Sequence, residues 1–166
     1  MDIDDAIRTR RTIKELRAEP VPADTVRELL ELAVHAPNHH LTEPWRFWVI
    51  GPETIERLVM ATGDVKLRRS QTAIAVGMVP DSDPVVAAED EAACSAAIQT
   101  LMLAATGRGL ASYWRTPGVA RLPAFGNVLG ADPTTRFLGL VHLGVADVEH
   151  PEAPARDAIA VTTWLP

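Results

Sequence analysis

The spacing of apolar positions predicts three helices in the first part of the chain. Apolar residues share one face of a short segment, residues 2 to 9, and recur at helical spacing from residue 23 to 35. Pro37 keeps the residue before it out of helical geometry, so the second helix ends there. Pro52 suits a first helical position and predicts a third helix that runs to about residue 61.

Four shorter apolar runs, bounded by glycine, proline or charged residues, predict strands. They extend over Trp45 to Ile50, Thr72 to Val79, Leu110 to Trp114 and Arg136 to Val145. The second run is apolar almost throughout, which predicts a strand that is buried on both faces of a sheet. A basic link, Lys66 to Arg69, precedes it.

The longest predicted helix lies between the second and third strands. Asp83 is a suitable N-cap with Pro84 at the first position, and Gly107 ends the helix. From Ala92 to Ala105 its residues are mostly small and apolar, which favours a central place in the core and permits packing at a subunit interface. A weaker helix is predicted from Leu122 to Leu129.

The chain after Glu149 carries Pro151 and Pro154, so we expect an extended arm. Residues Ile159 to Trp164 are expected to pair at an edge of the sheet. An arm of this kind often reaches across to a partner subunit.

Composition narrows the possible functions. A length of 166 residues favours one domain, 1–166, and a net charge of −6 argues against nonspecific nucleic-acid binding. The acidic, amphipathic N-terminus does not resemble a signal peptide, and the apolar run from Ala92 is too short to cross a bilayer, so we expect a cytoplasmic protein. The one cysteine, Cys94, excludes an intrachain disulfide and is expected to be a buried, inert thiol.

Cations cluster where the first helix ends. Arg10, Arg11 and Lys14 surround the hydroxyl of Thr12 within five positions. Cations at a helix C-terminus complement the helix dipole, which is one explanation. The same residues fit a phosphate site, in which arginines donate paired, charged hydrogen bonds. The residues alone leave both interpretations open.

The histidine segment, His35 to Phe47, crowds three histidines, two prolines and two aromatic residues between a helix and a strand. His35 and His39 are four positions apart, which on a continuous helix is metal-ligand spacing. Pro37 interrupts that helix, and no third ligand is evident. The histidines therefore offer donors or ring faces to a ligand, or they cap the helix. We expect this segment to form one wall of a binding site.

A second candidate wall lies at the end of the third strand. Trp114, Arg115 and Thr116 place an aromatic ring, a base and a hydroxyl before a Pro-Gly turn, which suits a ledge that faces a ligand. An ordinary strand end with an exposed arginine explains the same residues. The glycines at 107 and 109 follow a helix, so they do not form a dinucleotide-binding loop. His142 stands alone among apolar neighbours and is expected to be structural.

Three motifs occur in a fixed order along the chain. They are Arg10-Arg11-Thr12-x-Lys14, Ala36-Pro37-Asn38-His39-x-x-x-Glu43-Pro44-Trp45-x-Phe47 and Ser112-Tyr113-Trp114-Arg115-Thr116-Pro117-Gly118. Their order and separation resemble the nitroreductase family of FMN-dependent oxidoreductases, and in particular a short branch of it. The resemblance extends over nearly the whole chain.

This resemblance implies an α+β fold with a mainly antiparallel central sheet wrapped by helices, in an intertwined homodimer. Two FMN sites would lie at the subunit interface. The matching positions imply that Arg10, Arg11 and Thr12 contact the phosphate and ribityl groups, with Lys14 nearby and Arg156 as an added phosphate ligand. They imply that Trp114, Arg115 and Thr116 also contact the cofactor. His35 and His39 would contact the flavin of the other subunit. Arg10 is also the candidate donor to the N1–C2 carbonyl edge of the flavin.

The implied activity is electron transfer by a ping-pong mechanism. NADH or NADPH would reduce FMN, and a nitroaromatic, a quinone or a similar small acceptor would then take the electrons. Five features depart from the family pattern. They are Thr12 in place of serine, His35 in place of arginine, Leu41 in place of asparagine, Glu43 in place of glutamine, and a compact region from residue 51 to 71. The alternatives are a flavin-binding or storage protein without turnover and a histidine-based metal hydrolase.

Overall fold

An antiparallel sheet of four strands forms the centre of the fold in the computed structural model, which describes residues 1–166. The strands are β1 (Arg46–Ile50), β2 (Thr72–Met78), β3 (Ala111–Arg115) and β4 (Arg136–Gly144). They lie in the order β1-β2-β4-β3, and each neighbouring pair is antiparallel. The predicted α+β class and mainly antiparallel sheet are confirmed.

Five helices surround this sheet. They are α1 (Ile3–Thr9), α2 (Ala23–Ala33), α3 (Pro52–Thr62), α4 (Pro84–Gly107) and α5 (Pro123–Leu129). At the start of α4, the side chain of Asp83 accepts a hydrogen bond from Val85 N, which satisfies a donor that the first turn leaves free. None of the helices combines the length and the apolar character that a membrane crossing requires.

The helix α2 ends at Ala33, two residues earlier than predicted. Beyond it, His35 N donates a hydrogen bond to Leu32 O, three residues earlier. The chain therefore forms a turn of the 3-10 type before it reaches Pro37. His35 therefore lies outside the helix, on the way to a single 3-10 turn, His39–Leu41.

Apolar side chains cover both faces of the sheet. On one face α2 and α4 pack against the strands, and Leu29, Leu101 and Val141 are fully buried there. On the other face α3 and α5 supply the cover, with Leu58 and Phe125 at its centre. The strand β2 is buried along its whole length, as its unbroken apolar sequence predicts.

Cys94 lies on α4, inside the first of these cores, and is fully buried. Burial, and then the nearby charge of Asp90, raise the pKa of its thiol to about 12. The thiol therefore stays protonated at neutral pH and lacks the thiolate needed for reaction. This confirms the predicted inert cysteine.

The arm after β4 does not form the predicted edge strand. Residues Ile159 to Trp164 pair with no strand and contain only a single 3-10 turn. Pro151 and Pro154 have no N–H with which to begin a ladder. The outer edge of β3 is also partly occupied, since Thr12 forms a bridge with Ser112.

A bulge in β4 lies beside Trp114. The register between β2 and β4 skips Leu138, so this strand carries one extra residue at that point. Trp114 then packs directly against Gly139, where an added Cβ would lie only 2.8 Å from Cδ1 of the indole and from Arg115 O. Glycine is required here by the close approach of another side chain and of the backbone.

We expect Gly139→Ala to lower the free energy of unfolding by about 1–3 kcal/mol, because the new methyl group overlaps the Trp114 ring and the β3 backbone. Gly107→Ala is the matched control, since nothing lies within 4 Å of a Cβ at that position. Its stability should equal or slightly exceed that of the wild type. Urea unfolding followed by circular dichroism measures both variants, and equal stability of the two would contradict the close contact.

Candidate functional site

Three arginines form a like-charged group without acidic partners. Burial, and then the charges of Arg11 and Arg156, lower the pKa of the Arg10 guanidinium. Arg156 on the C-terminal arm is therefore close enough to join the two N-terminal arginines, and we name these residues the arginine group. None of them takes part in an ion pair. Because the three charges repel one another, the group favours an anion as its ligand.

Arg11 is held in place by the backbone. Its Nη1 donates to the carbonyl oxygens of Arg8 and Arg10 at 2.7 and 2.8 Å. Its Nε is buried and has no hydrogen-bond partner. A buried donor on a charged group costs free energy when it lacks an acceptor. This nitrogen is therefore a donor that a bound anion could satisfy.

Thr12 connects the arginine group to the sheet. It forms an isolated bridge with Ser112 of β3, and Ile13 N donates to Ser112 O at 3.3 Å. The Ser112 hydroxyl is buried and has no partner. Two residues later Lys14 Nζ lies 5.6 Å from the centre of the Tyr113 ring. The structure thus brings the first and third sequence motifs together.

Trp114 and Arg115 point to opposite faces of the sheet, because successive strand residues alternate. Trp114 packs against the core on the α4 side. Arg115 lies on the other side, where its Nη2 donates to Asp64 Oδ2 at 2.6 Å. Their side chains therefore do not form the single ledge that the sequence indicated. Thr116, which follows the last residue of β3, is exposed.

On the Arg115 side, cations gather around one aromatic ring. The guanidinium carbon of Arg69 lies 5.7 Å from the centre of the Tyr113 ring, over which Lys14 also lies. Arg115 has its Nη1 buried without a partner. We name these four residues, Lys14, Arg69, Tyr113 and Arg115, the Tyr113 cluster. It offers positive charge and one unused donor to a polar ligand.

Next to Trp114, a cavity of about 830 Å³ opens at the end of the sheet between α4 and α5. Trp114 and Thr116 line it, and Arg136 and Glu91 form an ion pair of 2.9 Å at its wall. No residue from Arg10 to Lys14 lines this cavity. The large cavity and the cations therefore lie in different parts of the region around β3.

The histidine segment adopts a strained backbone. His40, Leu41 and Glu43 have φ values of 53°, 55° and 44°, in the left-handed region that non-glycine residues rarely adopt. Each such residue costs about 1–3 kcal/mol. Asn38 Oδ1 closes the segment by accepting from Glu43 N at 3.0 Å.

Two side chains fasten this segment to α4. Thr42 Oγ1 donates to Oδ1 of the buried Asp90 at 2.6 Å, and His39 Nδ1 pairs with Glu89 Oε2 at 2.7 Å. Trp45 is buried in the core, so its ring is not available to a ligand. Of the expected wall, the exposed part is the histidines and not the aromatic residues.

Neither candidate histidine is bonded to the arginine group. His35 is exposed after α2, and His39 borders a shallow groove of about 320 Å³ with Pro37 and alanines of α4. No hydrogen bond or ion pair joins either histidine to the N-terminal cations. Nowhere does the chain gather three or more His, Cys, Asp or Glu side chains in an arrangement that could hold a metal ion.

His142 belongs to a buried hydrogen-bond network beneath the Tyr113 cluster. Ser70 Oγ donates to Thr72 O at 2.7 Å and lies 2.8 Å from His142 Nδ1. Because the hydroxyl has one hydrogen, His142 donates from Nδ1, and its buried Nε2 is an acceptor without a partner. The ring stacks on Tyr113 with 5.8 Å between centres. The expected structural role of His142 agrees with this burial.

Comparison with known proteins identifies the family. The model described as Nitroreductase family matches residues 7–145. A Bacillus subtilis protein named "Putative NAD(P)H nitroreductase YfhC" is 32% identical over 174 residues, which cover 93% of this chain and 89% of that protein. The chain belongs to the nitroreductase family.

This nitroreductase-family chain also resembles solved structures. A nitroreductase-like family protein from Bacillus cereus has a TM-score of 0.88 at 28% identity, covering 99% of this chain and 96% of that one. The FMN and NADPH-dependent nitroreductase NfnB from Sphigopyxis sp. strain HMH has a TM-score of 0.87 at 15% identity, with both chains fully covered. At that identity the second similarity shows the fold alone. Both agree with the nitroreductase-like architecture that the sequence motifs implied.

Sequence reasoning missed two residues of this nitroreductase-family site region. Arg69 belongs to the basic link before β2, whose charge was visible in the sequence but whose position over Tyr113 was not. Asp64 gave no signal, because its partner Arg115 lies 51 positions away. Only the tertiary pairing of the sheet brings these residues together.

The environment of His142 makes stability depend on pH. Burial, and then the charges of Arg115 and Arg69, lower the pKa of His142 from 6.5 to about 4. Between these values the unfolded chain binds more protons than the folded one, so the free energy of unfolding falls as the pH is lowered. Above the pKa of His142 in the unfolded chain, this histidine is neutral in both states and no longer makes the free energy of unfolding depend on pH.

We expect the wild type to lose about 2 kcal/mol of stability through His142 between about pH 7.5 and pH 5. His142→Gln should reduce that loss, because the glutamine does not titrate. His150→Gln changes a histidine on the exposed arm and is the control that should keep the wild-type pH dependence. Urea unfolding at both pH values measures the difference. An unchanged slope in His142→Gln would contradict the assignment.

Proposed function

We propose that this protein is an FMN-dependent NAD(P)H oxidoreductase. In this proposal it passes electrons by a ping-pong mechanism to a nitroaromatic, a quinone or a similar small acceptor. Residues 1–166 act as one FMN-binding domain in the cytoplasm, where nicotinamide cofactors are available. The observation that carries the proposal is Arg11, which the carbonyl oxygens of Arg8 and Arg10 hold with its buried Nε unpartnered, in an arginine group that forms no ion pair.

The names of relatives support the choice of cofactors. NfnB, which shares the fold, is described as FMN and NADPH-dependent, and the name of YfhC refers to NAD(P)H. Transfer of these properties to the present chain is part of the proposal.

The residues present fit the chemical groups of FMN. FMN carries one phosphate and one broad ring, and no glycine-rich phosphate loop occurs in this chain. Arg10, Arg11, Thr12 and Arg156 would hold the phosphate and ribityl groups, and the unpartnered Arg11 Nε would gain an acceptor. Each hydrogen bond to a charged group contributes about 1.5–3 kcal/mol. Lys14, Arg115 and the exposed Thr116 at the end of β3 would contact the ring, whereas Trp114 points to the opposite face of the sheet.

When bound, FMN supplies the hydride and electron chemistry, so the protein needs to supply binding, orientation and electrostatics. The cations Arg10 and Lys14 favour negative charge on the cofactor, which increases on reduction. No side chain is required to act as a general base, and we assign no catalytic residue. The donors of this region are held by the sheet and thus need little reorganisation.

A homodimer is part of the same proposal. Apolar side chains are exposed at both ends of the chain, with Ile3 and Ile7 on α1 and Trp164 on the arm, which is 83% exposed. Such residues are typical of a surface that another subunit covers. By the family resemblance we assign His35 and His39 to the flavin of the partner subunit, and neither is hydrogen-bonded to the arginine group of its own chain.

We expect purified protein, supplied with FMN, to bind it with the visible spectrum of a flavoprotein. Arg11→Ala should weaken binding by about tenfold or more, since it removes a charged hydrogen bond to the phosphate. Arg27→Ala is the matched control, because Arg27 is an exposed arginine on α2 that pairs with Asp24. Titration followed by flavin fluorescence gives the dissociation constants. Failure of the wild type to bind excess FMN would rule out the proposed function.

We expect NADH or NADPH to bleach the bound flavin under anaerobic conditions, because electrons then remain on the cofactor. Addition of a nitroaromatic or a quinone should restore the oxidised spectrum, as a ping-pong mechanism requires. The two nicotinamides are tested separately, and free FMN at the same concentration is the control. A protein that binds FMN but is bleached by neither would instead be a flavin-binding or storage protein.

A further inference from the structure

A largely buried ion pair joins the link before β2 to the end of β3. Asp64 and Arg115 meet at 2.6 Å, and their side chains are only 14% and 13% exposed. In every other ion pair of the chain both side chains are at least one-third exposed. Charges are costly to bury, so a pair in this position requires either close compensation or a role beyond stability.

The local fold fixes the direction of the Asp64 carboxylate. Gly63 ends α3 with a left-handed φ of 74°, which turns the chain back toward the sheet. Asp64 Oδ1 then accepts from Lys66 N at 3.0 Å, while Oδ2 accepts from Arg115. One oxygen anchors the carboxylate in its own turn, and the other holds the guanidinium. The position of Arg115 is thus set by a residue outside its strand.

This arrangement leaves part of Arg115 unused. Its Nη2 serves Asp64, whereas its Nη1 is buried and has no acceptor. The other two cations of the Tyr113 cluster, Lys14 and Arg69, form no ion pair. Asp64 is therefore the one carboxylate that compensates any charge of the cluster.

We propose that Asp64 is a positioning residue for the cofactor site. It holds Arg115 with Nη1 free to donate to the bound flavin, and its charge limits the positive field of the Tyr113 cluster and thereby sets the flavin's reduction potential. The inference rests on the proposed function, because it requires FMN to lie next to this cluster. Arg69 belongs to the same field, as a cation that no sequence motif assigned.

The sign of the effect follows from charge. Reduced flavin carries more negative charge than oxidised flavin, so nearby positive charge stabilises the reduced form more. Removal of the Asp64 charge leaves the positive charge of Arg115 uncompensated and should raise the reduction potential of the bound flavin. Asp64→Asn removes the charge with little change in shape, whereas Asp64→Glu keeps the charge.

The experiment measures the midpoint potential of bound FMN by spectroelectrochemical titration. We expect Asp64→Asn to bind reduced FMN about tenfold more tightly relative to oxidised FMN, which corresponds to a rise of about 30 mV for a two-electron couple. Asp64→Glu should stay near the wild-type value. Glu56→Gln is the matched control, since it removes the same charge from the exposed pair of Glu56 with Arg68 in the same part of the fold.

A second variant tests the donor without removing a charge. Arg115→Lys keeps the positive charge but lacks a second nitrogen, so we expect weaker binding of oxidised FMN in a fluorescence titration and a potential near the wild-type value. If Asp64→Asn does not fold, this variant still tests the proposal, because Asp64 has no positioning role when Arg115 donates no hydrogen bond to FMN. Unchanged FMN affinity in Arg115→Lys would overturn the donor role.

The outcomes separate this inference from the proposed function. Wild-type protein that binds no FMN would overturn both. Wild-type protein that binds FMN, with Asp64→Asn lowering the melting temperature but not changing the potential, would overturn only the role of Asp64. A shift of equal size in Glu56→Gln would also overturn it, because the effect would then not be specific to the buried pair.

Discussion

The pairing of β2 with β4 is the contact on which the rest of the structure depends. Both strands lie between two helical layers, and each also pairs with an outer strand. Because water reaches neither face of β2, its backbone groups must be satisfied within the sheet. This ladder fixes the place of β3 at the sheet edge, and β3 in turn fixes where the N-terminal cations, Asp64 and the large cavity meet the sheet.

Two parts of the molecule are held in energetically unfavourable arrangements. The arginine group brings like charges together, and the histidine segment holds three non-glycine residues in the left-handed region. Favourable contacts elsewhere must offset both costs, and the contacts of Thr42 with Asp90 and of His39 with Glu89, in the second turn of α4, contribute to this for the histidine segment. A ligand that binds only the folded arginine group would add stability by mass action. Functional regions commonly carry such strain.

Local signals made much of this fold predictable. Asp83 and Pro84 begin α4 at the predicted residues, and the apolar run of β2 is buried as expected. The arm after Glu149 was wrongly expected to pair, because apolar character does not reveal that the sheet edge is occupied. The pairing of Asp64 with Arg115 could not be predicted, since no local pattern encodes a contact between distant segments. The sequence motifs of the site could thus be predicted, whereas the contacts between their side chains and distant segments could not.

The opposite directions of Trp114 and Arg115 have a consequence for how this region can change during evolution. Trp114 lines the cavity at the end of the sheet, whereas Arg115 does not line it and belongs to the charged cluster. Substitutions around one therefore act in a different chemical compartment from substitutions around the other, although the two residues are adjacent in the chain. Selection could reshape the cavity while the electrostatics of the charged face stay constant, and the converse is equally open. A single strand thus allows two properties to diverge independently among descendants of one ancestor.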